Sequence, residues 1–168
     1  MDVLIIRHAI AEERDVFSRT GEPDGLRPLT GKGIKRMRRA ARGLSTLVPQ
    51  LETLATSPLI RAVQTAEIVA QVYDDIDLLE TDALKPSATA NDTLHFLQQL
   101  AIDQTVALVG HEPSLSELIG WLTAKSDLPF LELKKGGACL LSFYDEVYAG
   151  GATLRWLLTP AQLRGLVD

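Results

Sequence analysis

Arg7 and His8 stand side by side at the end of the first apolar run, Val3-Leu4-Ile5-Ile6. That run is short, continuous and rich in β-branched residues, as a buried parallel strand would be. Ligands of open α/β sheets bind just beyond the carboxyl ends of the strands. A guanidinium and an imidazole therefore stand where a ligand would. Two more groups fall at equivalent places. Arg61 lies in the first turn of a helix that Ser57-Pro58 opens well, with Ser57 as N-cap and Pro58 as the first helical residue. His111 follows the second clear strand, Val106-Ala107-Leu108-Val109, and is one of only three histidines, with His8 and His95.

Two arginines and two histidines converging on one sheet edge make a cationic pocket suited to a phosphoryl group. Arginine binds such oxygens in bidentate fashion, and a helix N-terminus beside Ser57 adds backbone N–H donors. A neutral imidazole can attack phosphorus. Neighbouring arginine charges would lower the pKa of His8 and hold it neutral near pH 7. The remaining groups would stabilise charge in transit. Taken singly, each residue has an ordinary explanation: a solvated strand end, a solvated helix position, a cap or loop histidine. Their convergence is what carries the reading. A metal held by His8 and His111 is disfavoured, because flanking arginines repel a cation and Glu112 is the only carboxylate beside either histidine.

The elements that position these groups read as alternating strands and helices. After the first strand comes a polar stretch over 10–29, long for a plain connection and so a candidate functional loop. Thr30 looks like the N-cap of a helix with Ile34, Met37, Ala41, Leu44 and Val48 at helical spacing. A short strand over 51–56 precedes the helix behind Ser57, whose apolar stripe is Leu59, Val63, Ala66, Val69 and Tyr73. Leu78-Leu79 reads as a brief extended segment, Thr89 or Asn91 as the cap of a helix through Leu100, and 113–122 as another helix. Residues 138–144 and 152–158 form a hairpin around Gly150-Gly151. The expectation is a three-layer α/β/α sandwich with a mostly parallel central sheet and antiparallel pairing near one edge.

Composition agrees. The chain has 168 residues, 46% hydrophobic and 23% charged, with a formal net charge of −5, an ordinary globular balance that disfavours a nucleic-acid binder. The lone cysteine, Cys139, sits in an apolar run and reads as core. No run is long enough to span a membrane, and no signal-peptide pattern opens the chain, so the cytoplasm is the expected location.

The motifs resemble those of the histidine phosphatase superfamily. Leu4-Ile5-Ile6-Arg7-His8-Ala9 is similar to its Arg-His-Gly signature, Ser57 through Ala66 to its second motif, and Val109-Gly110-His111 to its third. The short length and Arg27-Pro28-Leu29-Thr30, followed by Gly31-Lys32-Gly33, look like the SixA-type phosphohistidine phosphatases. The resemblance implies a phosphoglycerate-mutase-like fold, one domain over 1–168, His8 as the phosphorylated nucleophile, and Arg7, Arg61 and His111 as phosphoryl ligands, with no metal or other cofactor. Ser57 and Arg27 are further substrate-binding candidates. Ala9 departs from the usual glycine, so the turn after His8 need not take positive φ. A second departure is the absence of a recognisable general acid: Glu80, Asp82 and Asp92 are the nearest acids in a short segment where larger relatives supply one. An alkoxide leaving group needs such an acid, whereas an imidazole departs with less help. Protein phosphohistidine is therefore the expected substrate. A small-molecule phosphomonoesterase and a non-catalytic phosphoryl-binding module are the alternatives. The partner is a phosphorylated protein domain or small phosphorylated molecule, with phosphate or sulfate able to enter the pocket.

One helix stands apart. Lys32, Lys35, Arg36, Arg38, Arg39 and Arg42 crowd a short stretch of an otherwise acidic chain. The simplest account is a solvated face; a docking surface for an acidic phosphoprotein is the functional one. Nucleic-acid binding is weakened by the lack of interleaved aromatics.

Overall fold

A computed structural model describes residues 1–126, 128 and 130–167. The first strand, β1 (Asp2–Arg7), lies inside a six-stranded sheet, and its side chains alternate between two cores as a period of two requires. Leu4 and Ile6 enter one core, Val3 and Ile5 the other. β2 (Thr53–Thr56), β3 (Leu78–Glu80) and β4 (Thr105–Gly110) run parallel to β1 in the order β3-β2-β4-β1. β5 (Ala138–Ser142) pairs antiparallel with β1, and β6 (Thr153–Leu158) pairs antiparallel with β5. The mostly parallel sheet with antiparallel pairing at one side is as expected, with the strands two or more residues shorter than the apolar runs in 51–56 and 138–144.

Helices cover both faces, giving the three layers. A short α1 (Arg14–Phe17) and two 3₁₀ turns occupy the polar stretch after β1. α2 (Gly31–Leu47), α3 (Ile60–Ala70) and α6 (Pro160–Gly165) bury Met37, Leu44, Ala62, Ala66 and Leu163 against one face. α4 (Ala90–Gln98) and α5 (Ser114–Ala124) bury Leu94, Leu97, Leu118 and Leu122 against the other. Thr30 caps α2 by accepting the Gly33 N–H at 2.9 Å, and Thr89, not Asn91, caps α4 in a capping box with Asp92.

Two expectations are corrected, and one helix went unpredicted. The helix after Ser57-Pro58 begins at Ile60, and neither Ser57 nor Pro58 is helical. Its buried face is centred on Arg61, Ala62, Thr65, Ala66 and Val69, with Val63 only half-buried. α6 was not legible from apolar spacing, because only Leu163 of its six residues is buried. Its signal is local: Thr159-Pro160-Ala161-Gln162 forms a capping box with proline in the first turn. Close packing of α2 depends on Gly43, where a Cβ would lie 1.9 Å from the Leu163 carbonyl oxygen.

Candidate active site

Strand register brings the site together. Arg7 pairs with Gly110, so His8 and His111 emerge side by side from β1 and β4. Thr56 pairs with Val109 on the other flank of β4, which places Ser57 next to the same point. The His8 N–H donates to the Gly110 carbonyl at 3.0 Å, and the Ser57 N–H to the Val109 carbonyl at 3.0 Å, extending both ladders past the last paired residues. The two imidazole rings lie with centroids 5.1 Å apart. Arg7, His8, Glu13, Arg14, Arg27, Arg61, Pro86, His111, Glu112 and Lys135 line one cavity of about 230 Å³.

His8 is held from three directions. Its Nδ1 lies 2.7 Å from the Ala9 carbonyl oxygen. A carbonyl can only accept, so Nδ1 carries the proton and Nε2 carries the free lone pair. The Ala9 N–H donates to Thr65 Oγ1 at 3.0 Å, and Thr65 in turn donates to the Arg61 carbonyl at 2.7 Å. The Gly136 N–H reaches the carbonyls of both Arg7 and His8 at 3.1 Å, from a backbone with φ of +77° that favours glycine. Ala9 is not among the residues with positive φ, as its side chain requires.

Burial makes both histidines weak bases. His8 is pushed down to about 3, first by burial and then by Arg61, Arg7 and Lys135. His111 is likewise lowered to about 3, by burial first and then by His8 and Arg61. The expected effect of the arginines is present, but loss of hydration is the larger cause: a cationic ring in a nearly dry site loses more than a neutral one. His111 Nε2 lies 2.9 Å from Ser57 Oγ. Ser57 thus orients the second histidine; its only contribution to the helix entry is a longer acceptance of the Leu59 N–H at 3.4 Å.

The cations are organised around one carboxylate that sequence reading passed over. Asp24 binds Arg27 Nε at 2.8 Å and Arg61 at 3.2 Å, with Arg14 at 3.6 Å. The Arg27 hydrogen bond, with Arg61 and Arg14 beyond it, holds the Asp24 carboxyl below the usual range. Arg27 also donates to the Glu12 carbonyl at 2.7 Å. Of the three predicted arginines, Arg27 and Arg61 are nearly fully buried and Arg7 is partly so. Arg7 is anchored on the other side by donation to the Leu133 carbonyl at 2.5 Å. Arg7 Nε, Arg61 Nε and His111 Nδ1 are buried with no protein hydrogen-bond partner among the described residues.

Most of the nearby carboxylates are engaged elsewhere. Glu80, Asp82 and Asp92 do not line the cavity; Asp82 pairs with Lys85 at 2.8 Å and Asp92 serves the Thr89 cap. Glu112 does line it, but its oxygens accept from the Leu133 N–H at 2.9 Å and Ser116 Oγ at 2.6 Å. Glu13, at the exposed start of α1, is the remaining lining acid besides these. Among the described residues no group of three or more His, Cys, Asp or Glu is placed to hold a metal ion. No described helix is long and apolar enough to cross a membrane.

Asp24, Thr65, Arg14 and Lys135 went unrecognised in the sequence. Lys135 had a signal: it precedes β5, and an antiparallel strand starts at the edge where its parallel neighbours end. Asp24 had none, since its partners lie 3, 10 and 37 residues away and only the fold gathers them.

A doubly covered α/β sheet with an Arg-His pair and a second Arg-His pair at its carboxyl edge defines a phosphoryl-handling protein of the histidine phosphatase kind. Residues 3–86 match the Histidine phosphatase superfamily (branch 1), and the chain belongs to that family of phosphatases. An uncharacterised protein of Picosynechococcus sp. is 35% identical over 139 residues, 82% of each chain. Phosphohistidine phosphatase SixA of Escherichia coli K12 is 28% identical over 170 residues, 98% of this chain and 97% of that one. A solved structure of the protein histidine phosphatase SixA complexed with tungstate shares the fold, with a TM-score of 0.83 at 24% identity, covering 97% of this chain and 99% of that one.

Proposed function

We propose that this protein is a metal-independent phosphohistidine phosphatase acting on a phosphorylated protein through a covalent phosphohistidine at His8. The observation that carries the reading is the fixed tautomer of His8, whose neutral ring leaves Nε2 free in a cavity that Arg7 and Arg61 also line. In the first step the Nε2 lone pair attacks phosphorus. An Nε2–P bond forms as the bond to the leaving nitrogen breaks, and the leaving imidazole takes its proton from water. The positive charge that develops on the His8 ring is shared through Nδ1–H with the Ala9 carbonyl. Arg7, Arg61 and His111, which line the cavity beside His8, hold the phosphoryl oxygens. In the second step water attacks phosphorus, the Nε2–P bond breaks, and inorganic phosphate leaves with neutral His8 restored. Each step neutralises charge with protein cations and requires no metal ion.

Substrate choice follows from the acids. Asp24 is kept ionised by its arginines and Glu112 already accepts from two donors, which leaves Glu13, at the exposed start of α1, as the lining carboxyl not so engaged. An imidazole leaving group needs the least such help. The near full-length similarity to the Escherichia coli SixA phosphatase supports the same class. The test compares hydrolysis of a chemically phosphorylated histidine peptide with that of an alkyl and an aryl phosphate. A kcat/KM preference for the peptide is expected; a strong preference for the alkyl phosphate overturns the substrate assignment. Incubation with a ³²P-labelled substrate should trap acid-labile, base-stable label on His8, and complete absence of label would instead favour a phosphoryl-binding module.

A further inference from the structure

Six of the chain's 17 lysines and arginines, and none of its 22 acids, lie in α2. The rest of the chain therefore carries twice as many acids as cations. All six of these side chains are exposed. They are not an isolated stripe. Arg36 shares a crevice of about 30 Å³ with Lys135 of the loop before β5 and Arg164 of α6. Lys135 also lines the catalytic cavity. A cationic path thus runs from His8 past Lys135 to Arg36 and onto the outer face of α2. On its far side Arg38 and Arg42 line a second, open groove of about 380 Å³ with Ile68 and Val72 of α3. α2 itself is tied to the site at its start, where the Thr30 N–H donates to the Ile10 carbonyl at 2.9 Å, two residues beyond His8.

We propose that this face of α2, continued by Arg164 and Lys135 to the cavity, docks an acidic segment of the protein whose phosphoryl group enters the site. The proposal rests on the phosphatase reading above and adds the partner chemistry. Charge complementarity selects a compact acidic surface. Beyond the helix the chain is net negative, which disfavours a long polyanion such as nucleic acid, and α2 carries no aromatic side chain for bases to stack on. Exposed like charges crowded on one helix repel one another and cost some stability; a docked acidic segment relieves that repulsion.

Three synthetic phosphohistidine peptides, identical except for flanking glutamate, glutamine or lysine, test this. At low ionic strength the glutamate peptide should show a kcat/KM about tenfold above the glutamine peptide, with the lysine peptide lowest, and the order should collapse at high salt. A K32E/K35E/R36E variant should erase the glutamate advantage while turnover of p-nitrophenyl phosphate changes less than about twofold. Circular dichroism confirms that the variant is folded, and the wild-type salt dependence gives the same answer without any variant. Equal rates for the three peptides, or an unchanged glutamate preference in the variant, overturn docking while leaving the phosphatase reading intact. Fluorescence anisotropy with an unphosphorylated glutamate-rich peptide reports docking without turnover. Binding there with no cleavage of any phosphohistidine peptide would sustain docking and sink the substrate assignment. Tighter binding of a short RNA or DNA than of the glutamate peptide at equal charge would also overturn the proposal.

Discussion

His8 Nδ1 stands 2.7 Å from the carbonyl oxygen of its own neighbour, Ala9. That single hydrogen bond decides which ring nitrogen can act. The backbone conformation that creates it is itself pinned by Thr65 and Gly136, so the proposed nucleophile is oriented by main chain and not by another side chain that could titrate.

Replacing this ring removes the proposed nucleophile and little else. His8→Ala should lower turnover by about 10³-fold or more while preserving the fold. Steady-state kinetics and loss of ³²P labelling check the outcome; near-wild-type turnover would refute the nucleophile assignment.

Both histidines sit near 3 in the folded protein, against about 6.5 in the unfolded chain. Between those values the unfolded state binds protons that the folded state does not. Stability should therefore be full above pH 6.5 and fall as pH drops toward 3, by up to about 1.4 kcal/mol per pH unit for each ring. Urea denaturation at a series of pH values measures the slope. Because His8 stays neutral across that window, kcat should not show a protonation limb near pH 6.5.

Asp24 pairs with both Arg27 and Arg61, so on the proposed mechanism it both aims Arg61 and competes with the phosphoryl group for it. Asp24→Ala should tighten inhibition by inorganic phosphate, because a negative charge leaves the pocket, and yet lower kcat by about tenfold, because the guanidinium groups lose their common anchor. Opposite movements of Ki and kcat distinguish this from simple loosening of the loop. Unchanged values of both would show that Asp24 plays no part.

Thr65 links the turn after His8 to α3. Thr65→Val keeps the shape but leaves the buried Ala9 N–H without an acceptor, at a cost of about 1–3 kcal/mol. For a domain of this size that corresponds to a fall in Tm of a few degrees, readable by calorimetry, accompanied by weaker activity.

Gly43→Ala tests a contact remote from the chemistry. A Cβ there would overlap the Leu163 carbonyl, so α6 must move. A destabilisation of about 1–3 kcal/mol is expected, with kcat nearly unchanged.

Much of this architecture could be read from residue order. The alternation in Val3-Leu4-Ile5-Ile6 and Val106-Ala107-Leu108-Val109 is continuous because both faces of these strands are buried, which marks them as central and parallel. Thr30 and Thr89 announced their helices through capping, a purely local interaction. His8, Arg7, Arg61 and His111 were found because each directly follows a strand or opens the helix behind one. Ser57 was found for the wrong reason: its hydroxyl serves His111 from another strand instead of capping α3. α6 was missed because its buried face is a single leucine, too little for periodicity to register.

What the sequence alone determined is the set of elements and the residues at their ends, because propensity, patterning and capping act over a few residues. The tertiary structure decided the site's state. Register set His8 beside His111, folding of the 10–29 segment brought Asp24 to Arg27 and Arg61, and the loop before β5 delivered Lys135. Burial then made both imidazoles neutral more strongly than the adjacent arginines did. Desolvation depends on everything packed around a group, and no short stretch of chain contains that information.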